Sequence, residues 1–228
     1  MNPDSIELFE KITASQSFDD LTFYREEAVD GVMPSEKGWL WPKEDTGAWG
    51  GVKEQYVDFY KERYRKYGKN MEVIVQAGGA CGLYPRLMSD LFRFVYTFEP
   101  FPVSFHCLTY NCQKPNIFKF NAALGSRCGT VMPSHFYEGN VGMNKVNVHN
   151  GGGAIPMFAI DSLNLPACDF IQLDIEGDEQ EALYGALNTI KKFKPGISLE
   201  TSPDSFMESL GYQKAEHVGS DTFWEFRG

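Results

Sequence analysis

The stretch VIVQAGGACG, from Val73 to Gly82, joins an apolar run to a glycine cluster. This pattern is typical of a buried strand that turns into a helix, and nucleotide-type cofactors bind at such turns in open α/β sheets. The polar residue in the run is Gln76, at a position where many such sites have an acid. The stretch therefore predicts either a cofactor site or a glycine turn that serves packing alone.

After residue 71 the chain alternates between strand-like and helix-like segments. The predicted strands are Glu72–Ala77, Arg93–Phe98, Ile117–Phe120, Phe170–Leu173, Gly196–Leu199, Gln213–His217 and Thr222–Phe226. The predicted helices are Leu83–Leu91, Val103–Cys112, Glu179–Phe193 and Asp204–Leu210. This alternation predicts a doubly wound α/β fold with right-handed crossovers. The Gly-, Asn- and Ser-rich segment 125–156 is expected to be a loop, with a short hairpin around Lys145–Val148 and Met157–Ile160.

The first 68 residues have a different character from the rest of the chain. Their segment Asp30–Gly51 is rich in glycine, proline and charged residues and contains Trp39, Trp41 and Trp49. Long loops of this kind often act as lids, and three tryptophans also suit a packed plug. The predicted helices of this part are Ile6–Ile12, Phe18–Val29 and Val52–Tyr67. We divide the chain into a helical and aromatic-loop extension, residues 1–68, and a main domain, residues 69–228.

Composition limits the classes of function. The formal net charge is −10, which repels phosphate backbones, and the single basic run Lys61–Lys69 is best explained as a solvated helix face. No apolar run approaches the roughly 20 residues of a membrane-spanning helix. The acidic N-terminus lacks a signal-peptide pattern, and five scattered cysteines fit free thiols in a reducing compartment. We therefore expect a cytoplasmic protein with neither nucleic acid nor membrane as a partner.

The glycine cluster fits one cofactor pattern better than another. The dinucleotide pattern G-x-G-x-x-G needs a glycine where this chain has Ala77. The pattern acid-x-G-x-G-x-G of S-adenosylmethionine sites gives Gln76, Gly78, Ala80 and Gly82, with two glycines in place. Glycines allow a ligand to approach the backbone closely, and the N-terminus of the next helix presents free N–H groups to an anion.

Glu99 is a further candidate for cofactor binding. It follows the second predicted strand and comes 17 residues after Gly82, near the offset of about 20 residues at which nucleotide folds place a ribose-binding acid. Pro100 ends the strand directly after it. A carboxylate at this position accepts hydrogen bonds from both ribose hydroxyls, so we predict a ribose contact for Glu99.

A more specific signal is the stretch DFIQLDIEGDEQEALYGALNTIKKFKPGISLE, which begins at Asp169. Together with VIVQAGGACG, VYTFEP, NIFKFNAALG, AIDSL and LGY, it resembles the FkbM-type family of S-adenosylmethionine-dependent methyltransferases. The resemblance covers roughly residues 71–228. The family's first motif, D-x-G-A-N-x-G, differs here at Gln76, Gly79 and Ala80. Its central motif, K-I-D-V-E-G, has Gln172 in place of the lysine.

The resemblance implies a Rossmann-like methyltransferase sheet of seven mostly parallel strands in the order 3-2-1-4-5-7-6, with the seventh strand antiparallel. It implies S-adenosylmethionine as the cofactor and a hydroxyl acceptor on a small molecule or a sugar. The residues that it places at the cofactor are Gln76, Gly78 and Gly82 at the methionine end, Glu99 at the ribose, Asn121, Ala122 and Ala123 near the adenine, and Asp174 at the methionine moiety or the acceptor.

Asp174 and Glu176 are the candidate catalytic residues, because a carboxylate there can take or polarise the proton of the acceptor hydroxyl. Glu176 equally suits an acid at a helix N-terminus without a catalytic role. His135 and His149 are loop histidines, a type that is more often simply exposed than a general base. No residue spacing is typical of a metal site, so we predict no metal, although convergence of Asp161, Asp174 and Glu200 in space stays open.

The sequence thus predicts a methyltransferase that modifies a hydroxyl of a small molecule or sugar. Two alternatives remain open at this point. The altered first motif also suits a catalytically silent protein that binds S-adenosylmethionine. A nucleotide-dependent oxidoreductase is the other alternative, and Ala77 together with the glycine spacing disfavours it.

Overall fold

The structure is a computed structural model that describes residues 21–24, 39–42, 45, 54–137, 139–149 and 151–228. The helix expected at Ile6–Ile12 and the side chain of Trp49 lie outside these residues. In chain order the elements are β1 (Leu21–Tyr24), β2 (Trp39–Pro42), α1 (Glu54–Tyr67), β3 (Val73–Ala77), α2 (Leu83–Met88), β4 (Phe94–Phe98), α3 (Pro102–Asn111), β5 (Ile117–Phe120), β6 (Ala123–Leu124), β7 (Gly129–His135), β8 (Lys145–Asn147), β9 (Ile155–Phe158), β10 (Phe170–Leu173), α4 (Glu179–Tyr184), α5 (Leu187–Phe193), β11 (Gly196–Leu199), α6 (Asp204–Ser209), β12 (Tyr212–Val218) and β13 (Asp221–Phe226). Short 3₁₀ turns span Val141–Met143 and Ile160–Leu163.

A seven-stranded sheet forms the centre of the fold, with the strand order β12-β13-β11-β10-β3-β4-β5. The pairs from β11 to β5 are parallel, and β13 runs antiparallel to both β11 and β12. When the seven strands of this sheet are numbered 1 to 7 in chain order, the order read from β5 to β12 is 3-2-1-4-5-7-6. The doubly wound fold, its seven strands and the antiparallel seventh strand are therefore confirmed.

β3 is the central strand because its sequence is apolar on both faces. All five of its residues are buried, and it lies between β4 and β10. A parallel strand that is covered on both faces is expected to read as a continuous apolar run, as VIVQA does apart from Gln76. Ile74 belongs to the core on one face of the sheet, and Val73 and Val75 belong to the core on the other.

Helix α1 covers one face of the sheet with tyrosines at helical spacing. Tyr60 and Tyr64 are fully buried, and Tyr67 is nearly so. The ring of Tyr64 lies 5.2 Å from that of Phe170, and the ring of Tyr67 stacks on Phe223 at 5.8 Å. The end of the predicted extension thus contributes to the core of the main domain, while the boundary at residues 68 and 69 stays a prediction.

Two predictions for the N-terminal region are wrong. Residues 21–24, inside the helix expected at Phe18–Val29, form strand β1, which pairs antiparallel with β2. Trp39 and Trp41 lie in β2 rather than in a loop, and both are buried. Both segments form strands because β1 and β2 satisfy each other's backbone hydrogen-bonding groups. β2 also packs against α3, a contact that the local sequence pattern does not indicate.

The hairpin expected between Lys145–Val148 and Met157–Ile160 is also wrong. β8 and β9 do not pair with each other, because β7 lies between them in a second sheet of order β6-β9-β7-β8. The predicted loop therefore contains a small sheet with its own core, formed by Val131, Val148 and Ile155 with two neighbours.

The helix expected over Glu179–Phe193 is interrupted at Gly185. A Cβ atom on Gly185 would lie 2.1 Å from the carbonyl oxygen of Gly125, so this position requires glycine. The second helix, α5, begins at Leu187, and Asp161 accepts hydrogen bonds from the backbone N–H groups of Asn188 and Thr189 at its N-terminus. Asp161 is therefore a cap of helix α5.

Helices long and apolar enough to cross a membrane are absent from the part of the chain that the structure describes.

Candidate functional site

A cavity of about 340 Å³ opens at the carboxyl ends of β3, β4 and β10. The chain leaves β3 toward β4 on one side, and β10 pairs on the other side, so the cavity lies at the topological switch point of the sheet. Residues from 77–81, 98–101, 122–124, 141–148 and 174–178 line it, together with Trp41, Asp45, Leu83 and Tyr84. Its position is the one at which open α/β sheets bind ligands.

The loop after β3 is shaped by close approaches of backbone to backbone. Gly78 has φ 82°, and a Cβ atom there would lie 1.9 Å from the backbone oxygen of Asp174. A Cβ atom on Gly79 would lie 2.5 Å from Leu108 Cδ1. Ala80 also has a positive φ, 41°. The loop therefore lies tightly between the end of β10 and helix α3, and Gly78 is required by geometry.

Gly82 serves packing beneath the loop. It precedes α2 with φ 96°, and a Cβ atom there would lie 2.7 Å from Cys112 Sγ. It is not among the residues that line the cavity in the described part of the chain. The geometry therefore supports a packing role for Gly82. Its contact with the methionine end of the cofactor stays a prediction.

Glu99 connects β4 to the glycine loop and lines the cavity. Its Oε2 accepts a hydrogen bond from the Ala80 N–H at 2.8 Å, and its Oε1 accepts one from the Phe101 N–H at 2.8 Å. The residue is 6% exposed, and burial raises the pKa of its carboxyl to about 7 while the two backbone donors act in the opposite direction. Each oxygen keeps a lone pair for a ligand, because each accepts only one of these bonds.

Asn121 holds the backbone around Glu99 in place. Its Nδ2 donates to the carbonyl oxygens of Glu99 and Pro100 at 2.9 and 3.1 Å. It does not line the cavity, whereas Ala122 and Ala123 directly after it do. The segment thus supplies small apolar side chains to the cavity wall. Asn121 fixes the backbone of Glu99, the candidate ribose-binding residue.

Gln76 and Gln172 are direct neighbours on β3 and β10. Both are fully buried, and Gln76 Oε1 accepts a hydrogen bond from the Thr97 hydroxyl. Among the described residues, Gln76 Nε2 and both polar side-chain atoms of Gln172 have no hydrogen-bond partner. Gln76 therefore lies inside the sheet below the cavity and is not part of its lining.

Acidic residues gather at the ends of β10 and β11. Oxygen atoms of Asp174, Glu176 and Glu200 lie within 4.8 Å of one another. Burial raises the pKa of Asp174 well above its usual range, and the charges of Glu200 and Asp221 raise it further. Burial and the charge of Glu200 also raise the pKa of Glu176, against the effect of Lys145. Carboxylates with raised pKa values are suited to proton transfer near neutral pH.

Lys145 ties the small sheet to this acidic group. Its Nζ donates to the backbone oxygen of Glu176 at 2.7 Å and lies 3.8 Å from Glu176 Oε2. Glu176 has φ 60°, which turns its side chain out of the direction of β10. The contact fixes β8 over the strand ends and places the insert beside the cavity.

Strand β2 closes another side of the cavity. The side chain of Asn111 on α3 exchanges hydrogen bonds with the backbone N–H and carbonyl of Leu40, both at 2.8 Å, and also donates to the carbonyl oxygen of Cys81. Trp41 Nε1 donates to Asp45 Oδ2 at 3.0 Å. This part of the aromatic segment is therefore packed firmly against the glycine loop, as a plug with Trp41 and Asp45 at the cavity wall.

The cavity brings together six of the predicted site residues, and three others lie outside it. The six that line it are Gly78, Glu99, Ala122, Ala123, Asp174 and Glu176. Gln76, Gly82 and Asn121 support the lining from behind. The two candidate histidines, His135 and His149, are exposed and are not among the lining residues.

Sequence reasoning missed several residues of the cavity wall. Asp45, Asp178 and Asn144 line the cavity, and none of them was singled out. Asp178 is two residues after Glu176 in the same acidic run, which is a usable signal. Asn144 and Asp45 lie in segments without regular periodicity, so only the folded chain reveals their position.

A cavity at this point of a doubly wound sheet defines an α/β protein of the cofactor-binding class. A family model described as the methyltransferase FkbM domain matches residues 83–218, more than half of the 228 residues. The chain therefore belongs to the FkbM methyltransferase family. The cofactor of this family is S-adenosylmethionine.

Solved structures with similar folds include other methyltransferases. A methyltransferase FkbM from Methylobacillus flagellatus KT has 19% identity and a TM-score of 0.50, with coverage of 73% of this chain and 50% of that chain. This chain thus spans half the length of that relative. Precorrin 8W decarboxylase from Methanobacterium thermoautotrophicum has 14% identity and a TM-score of 0.46, covering 77% and 91% of the two chains. Precorrin-6y C5,15-methyltransferase from Geobacter metallireducens GS-15 has 13% identity and a TM-score of 0.44, covering 76% and 88%. Comparison with curated protein sequences gives no significant match.

Proposed function

We propose that this chain methylates a hydroxyl group of a small molecule or sugar, with S-adenosylmethionine bound in the cavity between the glycine loop and the acidic group. The observation that carries the proposal is Glu99, a buried carboxylate that lines the cavity directly after β4 and is held by the glycine loop. This is the place at which nucleotide folds bind ribose hydroxyls.

The cavity fits the cofactor in size and in charge. Its volume of about 340 Å³ lies within the range of ligand pockets. Its described lining contains no lysine or arginine and has five carboxylates, those of Asp45, Glu99, Asp174, Glu176 and Asp178. A negative wall favours a ligand that carries a sulfonium and an ammonium group. When bound, the cofactor supplies an activated methyl group, so the protein mainly positions the reactants and excludes water.

Each part of the lining has a proposed role. Glu99 accepts hydrogen bonds from the ribose hydroxyls through its two remaining lone pairs. Ala122 and Ala123 pack against the adenine, with Asn121 holding that segment. Asp174, next to Gly78, accepts from the ammonium of the methionine moiety. Gln76 and Gly82 act indirectly, by supporting the loop from inside the sheet and from α2.

Glu176 is the proposed general base for the acceptor hydroxyl. It lines the cavity and is partly buried, and its raised pKa brings the carboxylate closer to the pH at which proton transfer is efficient. Lys145 keeps it oriented toward the strand ends. Asp174 is the alternative base, and its deeper burial suits cofactor binding better.

The acidic character of the chain supports a small acceptor rather than a nucleic acid. The net charge is −10, and the cavity wall adds no positive side chain within the described lining. All five cysteines are free thiols, which supports a location in a reducing compartment such as the cytoplasm.

The ribose contact is tested by calorimetry with two ligands, S-adenosylhomocysteine and its analogue without the 2′- and 3′-hydroxyls. Wild type should bind the analogue about 10-fold or more weakly, because two hydrogen bonds to a carboxylate are lost. Glu99→Gln should bind the first ligand more weakly and discriminate much less between the two. Glu208→Gln, a change of the same kind on the exposed side of α6, should behave as wild type. Equal affinity of wild type for both ligands would contradict the proposed site.

Methyl transfer is tested with isotopically labelled S-adenosylmethionine and a panel of hydroxyl-bearing small molecules and sugars. The proposal expects label on oxygen of one acceptor and loss of transfer in Glu176→Gln with little change in cofactor affinity. Label on an amine or on nucleic acid would show that the acceptor class is wrong. Cofactor binding without transfer to any class would favour the catalytically silent alternative.

A further inference from the structure

Four carboxylates gather where β10, β11 and β13 meet at the edge of the cavity. β10 and β11 pair in parallel and end at the same level, so the next residue of each, Asp174 and Glu200, lie side by side. β13 runs antiparallel to β11, and its first residue, Asp221, is next to Glu200. Oxygen atoms of Asp174, Glu176 and Glu200 approach one another within 4.8 Å. Three carboxylates thus converge on one point, with a fourth behind them.

Buried polar atoms around this group lack partners. Among the described residues, Glu200 Oε2 and Asp221 Oδ1 accept no hydrogen bond, and Asp221 is 2% exposed. Gln172, which is fully buried, occupies the same face of β10 as Asp174 and has neither its Oε1 nor its Nε2 paired. An unpaired buried polar atom costs about 1–3 kcal/mol. The unpaired oxygens of Glu200 and Asp221, two carboxylates at the same point of the sheet, indicate a positively charged ligand there.

Two basic side chains, Lys145 near Glu176 and His217 near Asp221, act on this charge and are too few to balance four carboxylates. Within the described ranges, the only ion pair to the four carboxylates is that of Lys145, whose Nζ is 3.8 Å from Glu176 Oε2 and donates its hydrogen bond to the backbone instead. The Tyr60 hydroxyl donates to Asp221 but is neutral. Carboxylates this close cannot all be ionised without a counter-charge, so the group binds either protons or a cation.

We propose that Asp174, Glu176 and Glu200 bind one divalent cation of the oxygen-preferring class, Mg²⁺ or Mn²⁺. Three carboxylate oxygens from neighbouring strand ends suit these hard cations, which keep several coordination positions for water or substrate. Asp221 lies next to Glu200 on the neighbouring strand and adds a fourth negative charge behind the ligands. This proposal differs from the sequence-based prediction of no metal. The sequence does not reveal the site, because only Asp174 and Glu200 directly follow strands, whereas the backbone of Glu176 turns that residue toward them.

The cation has a direct use if the proposed hydroxyl methylation is correct, and this use rests on that proposal. Asp174 and Glu176 line the cavity, so an open coordination position faces the space in which the acceptor binds. A hydroxyl coordinated to a divalent cation has a lowered pKa and a fixed orientation. The acceptor class would then be one with two adjacent oxygens, such as a vicinal diol, which chelates the cation.

The site is tested by titrating Mn²⁺ into metal-free, full-length protein near neutral pH and measuring free Mn²⁺ by electron paramagnetic resonance. The expected result is one ion per chain, with binding weakened about tenfold or more in Glu200→Gln and in Glu176→Gln. Glu208→Gln should bind as wild type. Thermal unfolding in the same samples should show that Mn²⁺ stabilises wild type more than Glu200→Gln.

Absence of Mn²⁺ binding at about 1 mM, or equal binding by wild type and Glu200→Gln, would overturn the inference. Glu176→Gln keeps the test valid if Glu200→Gln fails to fold, since Glu176 lies in a loop. No cofactor is present in this measurement. If wild type binds S-adenosylhomocysteine but not Mn²⁺, this inference alone is contradicted. If wild type binds Mn²⁺ but not S-adenosylhomocysteine, the proposed function alone is contradicted.

Discussion

Replacing Gly78 with alanine puts a methyl group where β3 and β10 end side by side. The new Cβ atom would lie 1.9 Å from the Asp174 backbone oxygen and 2.9 Å from its carbonyl carbon, so the loop or the strand must move. The backbone has φ 82°, which costs an alanine about 1–2 kcal/mol. Displacing a packed backbone adds about 1–3 kcal/mol. The expected loss in the free energy of unfolding is therefore about 2–5 kcal/mol.

Gly152→Ala is the matched control for this change. Gly152 also has a positive φ, 99°, but a Cβ atom there has no neighbour within 4 Å. It should lose only the conformational part, about 1–2 kcal/mol. Urea denaturation of both variants, with calorimetry of S-adenosylhomocysteine binding, measures the difference. Equal destabilisation, or unchanged ligand affinity in a folded Gly78→Ala protein, would refute the close approach of the loop to Asp174 and its place at the cofactor.

Other residues give independent tests. The pKa of Glu99 is raised by burial to about 7, so its folded form holds a proton that the unfolded chain releases above about pH 4.5. The contribution of Glu99 to stability is fully present below about pH 4.5 and falls by about 3 kcal/mol as pH rises to about 7. Urea denaturation at both ends of this window should show a smaller fall in stability for Glu99→Gln than for wild type, and an equal fall would contradict the raised pKa. Asp161→Ala removes the cap of α5 and should cost about 0.5–2 kcal/mol in the same assay, and no loss would show that the cap is dispensable. Gln172→Lys alone should be strongly destabilising, because it buries an unpaired charge. The double variant Gln172→Lys/Gln76→Asp should be much less destabilised, because the two positions are direct neighbours and their opposite charges compensate. Additive effects in a double-mutant cycle would disprove this coupling.

Sequence reasoning succeeded where structure is set by local patterns. The strands Ile117–Phe120, Phe170–Leu173 and Gly196–Leu199 agree residue for residue with the prediction. Each is a short, mostly apolar run with polar residues, proline or glycine at its ends, so the adjacent residues define its limits. Glu99 and Asp174 were found for the same reason, because they directly follow such strands.

It failed where structure depends on distant partners. β2 is a strand because β1 pairs with it and because Asn111, 71 residues after Leu40, satisfies its backbone. The pairing of β8 and β9 with β7 likewise involves segments whose local composition indicates a loop. The residue pattern within one segment does not predict such contacts, because the groups that stabilise the strand belong to other parts of the chain.

The acidic group illustrates both situations. Asp174 and Glu200 were recognisable as strand-end acids that open onto one edge of the sheet. Asp161 has the same residue type, yet it caps α5 instead of joining them. Glu176 reaches the group only because its backbone adopts φ 60°, which sequence does not specify for a glutamate.

The central claim is that the cavity beside the glycine loop binds S-adenosylmethionine through Glu99. An experimental structure of the protein with S-adenosylhomocysteine tests it most directly. The account predicts both ribose hydroxyls within hydrogen-bond distance of the Glu99 carboxylate, the adenine against Ala122 and Ala123, and the homocysteine end toward Asp174. A nucleoside bound elsewhere, or a ribose that makes no contact with Glu99, would contradict it.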